Sequence, residues 1–153
     1  MSTRRFPLVP AALAAALSII GSHAVQAQQA QHFAVLAGGN EVGPTGQAAA
    51  GDPDGYGTAS VVVVEPTQLC FSIVVDQIDR PVAAHIHRGV AGVNGAIVVP
   101  LTAPPAGNPG TSSGCVRNLS ASLVTAIRSN PFQFYVNVHT GAFQAGAVRG
   151  QLF

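Results

Sequence analysis

The run Phe132-Gln-Phe-Tyr-Val-Asn-Val-His139 alternates apolar and polar side chains. Successive side chains of an extended chain point to opposite faces. Phe132, Phe134, Val136 and Val138 therefore share one face, and Gln133, Tyr135, Asn137 and His139 the other. A strand with one buried face has this period; a helix does not. Upstream, Val82, Ala84 and Ile86 oppose Ala83, His85 and His87 in 82–88. Downstream, Ala147, Arg149 and Gln151 oppose Val148 and Leu152 in 147–153.

Further strands are expected over 32–37, 58–64, 69–75 and 96–101, with a short extended piece at 115–118. Segments 58–64 and 69–75, separated by Glu65-Pro66, read as a hairpin. Asp52-Pro-Asp-Gly55 is turn chemistry in a Gly- and Pro-rich loop over 38–57, and Asn94-Gly95 suits a tight turn with positive φ. The Pro/Gly/Ser-rich stretch 102–114 reads as a loop. Only 120–128 looks helical, with Leu119, Leu123 and Ile127 at four-residue spacing, Ser120 as N-cap and Asn130-Pro131 as the stop. The expected fold is all-β: an antiparallel, immunoglobulin-like sandwich of about seven strands with one short helix.

The N-terminus reads as a targeting segment. Arg4 and Arg5 precede the apolar run Leu8–Ile20, and Val25-Gln26-Ala27 has the small-residue pattern of a signal-peptidase site. A signal peptide over 1–27 and one domain over 28–153 are expected, with the product periplasmic or extracellular. The apolar run is too short for a stable membrane span, and no second apolar stretch is long enough for one. Charged residues are 8% of the chain and lysine is absent, so there is no basic stripe for nucleic acid. In an oxidising compartment Cys70 and Cys115 are expected to pair. The loop they close is worth about 4 kcal/mol by chain-entropy reasoning.

If the strands carrying them are neighbours, His85, His87 and His139 converge. A His-x-His pair on a strand projects both imidazoles to one side, and a third histidine from the next strand completes a site suited to copper or zinc. Asn137 and Arg149 lie on the same polar faces. The alternative is structural: the imidazoles hydrogen-bond loops and hold the sheet's polar end in place.

Ala84-His-Ile-His-Arg-Gly-Val-Ala-Gly-Val-Asn-Gly95, Asn130-Pro131, Tyr135-Val-Asn-Val-His-Thr140 and Gly146-Ala-Val-Arg-Gly-Gln-Leu152 resemble, in order, the motifs of the chordin-type (CHRD) domain. Asn40-Glu-Val42 also fits, although Gly43 interrupts the usual Pro-Pro. The resemblance implies an immunoglobulin-like barrel shared with copper–zinc superoxide dismutases. It makes His85, His87, His139 and Arg149 counterparts of the dismutase copper ligands and substrate-guiding arginine. Departures are plain: no histidine lies between His87 and His139, and no acidic residue follows Asp79. A second metal site in that half is therefore missing, and backbone carbonyls are left to orient the imidazoles.

Other chemistries find less support. There is no Gly-x-Ser-x-Gly elbow, and the glycine-rich run 89–95 leads into a strand and lacks the lysine of a phosphate loop. The sequence is thus read as a non-catalytic binding or structural module for a protein or other extracellular ligand. The competing class is a copper or zinc protein with a three-histidine site.

Overall fold

Alternating apolar side chains build most of the strands. In the computed structural model, which describes Met1, residues 29–64 and residues 66–153, β1 spans Ala30–Ala37, β2 Tyr56–Val64, β3 Gln68–Asp76 and β4 Pro81–Arg88. They are followed by β5 (Ala96–Leu101), β6 (Gly110–Val116), a helix α1 (Ala121–Ser129), β7 (Phe134–Thr140) and β8 (Val148–Gln151). Short 3₁₀ turns occupy Gly38–Asn40 and Pro131–Gln133. Apart from Met1, the expected signal peptide lies outside the described residues.

All eight strands form one antiparallel sheet in the order β5-β4-β7-β8-β1-β2-β3-β6. The sheet curls until its end strands, β5 and β6, approach each other, giving a nearly closed barrel. Leu36 of β1, Val61 of β2, Leu69 and Ile73 of β3, Ile86 of β4, Val136 and Val138 of β7 and Val148 of β8 fill its interior. Residues 58–64 and 69–75 are the expected hairpin, paired from Tyr56↔Asp76 to Val64↔Gln68.

The helix starts where Ser120 Oγ accepts a hydrogen bond from the Leu123 amide (3.3 Å), and it seats Val124 and Ile127 in the core. Pro131 then opens the 3₁₀ turn. Among the described residues no helix is long and apolar enough to cross a membrane.

Three expectations need correction. The expected loop 102–114 contains most of β6: Gly110-Thr-Ser-Ser-Gly114 lacks apolar alternation, yet its backbone pairs with β3 from Val75↔Gly110 to Leu69↔Val116. A terminal strand fixed by backbone bonds makes little demand on its side chains, so it leaves no periodic signal. Phe132 is 56% exposed, because Pro131–Gln133 is a 3₁₀ turn and β7 begins at Phe134. Val82 is 65% exposed, at a point where the β4–β7 register shifts between Pro81 and Ala83.

Cys70 and Cys115 face each other in the β3–β6 register and are disulfide-bonded. The bond fastens the one strand that the core holds least, closing a loop of sequence separation 45. Replacing both cysteines by serine is expected to lower unfolding stability by about 4 kcal/mol, read from urea midpoints at constant m. A loss below about 1 kcal/mol would show that backbone pairing alone secures β6.

Candidate metal centre

β4 and β7 are neighbours, and their register sets His85 opposite Asn137, His87 opposite Tyr135 and Ala83 opposite His139. The polar faces predicted for the two strands thus merge into one patch. One ring nitrogen from each of His85, His87 and His139 lies within 4.8 Å of the other two. Ligand atoms about 2 Å from a shared ion lie roughly 3.3–4 Å apart, so the widest pair must close by roughly 1–1.5 Å.

Backbone carbonyls fix two of the rings. His87 Nδ1–H donates to the Gly95 carbonyl at 2.8 Å, and His139 Nδ1–H donates to the Gln144 carbonyl at 2.9 Å. A carbonyl only accepts, so each neutral ring carries its proton on Nδ1 and presents a lone pair at Nε2. His87 Nε2 is buried and has no hydrogen-bond partner. His85 Nδ1 lies 3.1 Å from His139 Nε2. The nitrogens left without a proton are therefore His87 Nε2 and His139 Nε2, and His85 presents Nδ1 to the latter.

Burial keeps these rings neutral. Desolvation, followed by the neighbouring His139 and His87, lowers His85 to about 4. Desolvation also lowers His87, opposed in part by the Gly95 carbonyl and the Asn137 side chain, and His139, opposed in part by the Gln144 carbonyl. Neutral imidazole is the form that binds a metal.

The loop carrying Gly95 is anchored from β8. Arg149 is 1% exposed, and its guanidinium lies 3.4 Å from the centre of the Tyr135 ring. Its Nη2 donates to the Val90 and Val93 carbonyls (3.1 and 2.8 Å), and its Nη1 to Asn94 Oδ1 (3.3 Å). Tyr135 stacks in turn on His87, with centroids 4.7 Å apart and planes 8° from parallel. The resemblance to dismutases implies an arginine that guides substrate; here the guanidinium is buried behind Tyr135 and bound to the loop.

The Asn94-Gly95 pair has a different task from the one its sequence suggests. Positive φ in this loop falls at Gly92 (77°). Asn94 Nδ2 instead donates to the Val42 and Gly43 carbonyls (3.1 and 2.9 Å), tying the loop to the segment after β1. Gly95 is required because any side chain there would strike the Arg88 carbonyl.

One residue of the site was named from sequence only as the middle of the Asn40-Glu-Val42 motif, with no role. Glu41 is 1% exposed; its Oε1 accepts from the Val42 amide at 3.1 Å, and its Oε2 has no hydrogen-bond partner. Desolvation raises its pKa against the opposing Val42 amide, the Arg149 charge and the Asn137 amide. Gly146, at φ 145°, leaves it room, since a Cβ there would collide with the carboxylate. The available signal was the Asn40-Glu-Val42 motif: Asn40 bonds the Arg149 carbonyl (3.2 Å), Glu41 reaches the Asn137 amide and Val42 receives Asn94.

Among known families, the model of the CHRD domain matches residues 32–152. No curated protein and no solved structure matches the chain.

The neutral histidines predict an acid-side loss of stability. An unfolded histidine takes its proton near 6.5, whereas folded His85 waits until about 4. Between those values the unfolded chain binds more protons, so stability falls as pH drops from about 6.5 toward 4. Burial raises Glu41 and Asp52, which act in the opposite sense, so the difference between wild type and His85→Gln isolates the histidine. Urea midpoints measured across this window should fall more steeply for wild type than for the variant. Parallel curves would mean that His85 titrates normally.

Proposed function

The chain belongs to the CHRD domain family, and from that premise we propose that it is an exported, non-catalytic module that binds one copper ion through His85, His87 and His139. The observation that carries the reading is the buried, unpartnered Nε2 of His87 within a cluster of three neutral imidazoles. Structural histidines use their ring nitrogens in hydrogen bonds. Here the loop carbonyls consume one nitrogen each from His87 and His139 and turn the other toward the cluster.

An all-imidazole set suits copper and zinc, and the ordering of divalent affinities favours copper. Bound there, copper supplies a redox-active cation; the chain supplies three oriented lone pairs and a partly buried setting. Non-catalytic binding is favoured because the arginine that would draw an anionic substrate is buried and engaged with loop carbonyls. Export is supported by the disulfide, a bond of oxidising compartments, and by the signal-peptide pattern of residues 1–27.

Calorimetric titration of the metal-free protein with Cu²⁺ and with Zn²⁺ tests the reading. One equivalent of copper should bind more tightly than zinc, and His85→Ala/His87→Ala should abolish that binding. Copper binding that is weak, or that survives the double substitution, would return the histidines to a structural role.

A further inference from the structure

The amide of Asn137 sits between Glu41 and the imidazoles, and Asn137 is 2% exposed. Its Oδ1 lies 3.0 Å from His139 Nε2. His139 donates through Nδ1 to Gln144, so its neutral ring turns a lone pair on that oxygen. Two acceptors therefore face each other at hydrogen-bond distance. His85 Nδ1–H can donate to His139 Nε2 across 3.1 Å; His87 also approaches the Asn137 side chain, but its neutral ring has spent its one N–H on Gly95 and has no proton for that oxygen.

Exchanging the amide oxygen and nitrogen would ordinarily remove such a clash. Glu41 opposes that exchange. The would-be Cβ at Gly146 meets the Glu41 carboxylate first and Asn137 Nδ2 next, at 3.1 Å, so the NH₂ group lies on the carboxylate side. Reversing the amide would turn its oxygen toward the buried Glu41 carboxylate and take away the NH₂ group that favours its charged form. Glu41 thereby holds the oxygen of Asn137 toward the histidines, where a cation satisfies both lone pairs.

We propose that Asn137 Oδ1 is a fourth donor to the bound ion, giving a three-imidazole, one-amide-oxygen set, and that Glu41 is the positioning residue that keeps this oxygen facing the metal. The proposal rests on the copper-binding reading above and adds a selectivity to it. A hard carbonyl oxygen favours a divalent ion over Cu⁺, so the site discriminates for Cu²⁺.

The test measures Cu²⁺ and Cu⁺ affinities separately, by chelator competition, for wild type, Asn137→Ala and Glu41→Gln. Asn137→Ala should lose about 10- to 100-fold in Cu²⁺ affinity, while Cu⁺ affinity stays within about threefold. Glu41→Gln, whose amide accepts either orientation of Asn137, should lose Cu²⁺ affinity in the same direction and less steeply. It reads the same point should Asn137→Ala fail to fold. Equal losses for the two oxidation states, or no loss for Cu²⁺, would overturn the fourth donor while leaving the three-histidine site intact. Absence of copper binding by wild type would overturn the copper reading itself, and this proposal with it.

Discussion

The pairing of β4 with β7 is the constraint on which the rest of the molecule depends. Its register puts Ile86 beside Val136 and Ala84 beside Val138 on the core side. The same register puts His85 beside Asn137 and His87 beside Tyr135 on the other. A slip of one residue would exchange the two faces of a strand, moving imidazoles into the barrel and valines out of it. Packing and the chemistry of the patch are therefore enforced together.

A second layer holds the imidazoles in orientation. Carbonyls of Gly95 and Gln144 fix the His87 and His139 tautomers, and the Gly95 carbonyl belongs to a loop that Arg149 anchors from β8. Asn94 ties that loop to the segment after β1, where Glu41 is buried beside Asn137. Residues distant in sequence thus form a continuous support from Glu41 through Asn137 to His139, and from Arg149 through Tyr135 to His87. The family motifs mark the contact points of this support: Asn40-Glu-Val42, the 84–95 run, 135–140 and 146–152 each contribute to it.

Much of this was legible in the sequence, because period-two alternation is strong wherever one face is buried. Alternation along 82–88 and 132–139 placed the three histidines and Asn137 on polar faces, and strand adjacency brought them together. Alternation overran where other forces take over: Phe132 continues the pattern into a 3₁₀ turn, and Val82 continues it past a register shift. Only the end of strand β6 was legible, in the extended piece at 115–118; backbone pairing and a disulfide hold the rest without a run of apolar side chains. Glu41 was missed because nothing local distinguishes a buried acid from a solvated one in a glycine-rich loop. Its burial depends on Gly146, more than a hundred residues away in the chain.

The most direct test of the central claim is X-ray absorption spectroscopy of the protein loaded with one equivalent of Cu²⁺. The account predicts three imidazole ligands at about 2.0 Å, with the outer-ring scattering that distinguishes imidazole from other nitrogen donors. A spectrum that requires two imidazoles or fewer would contradict the three-histidine site.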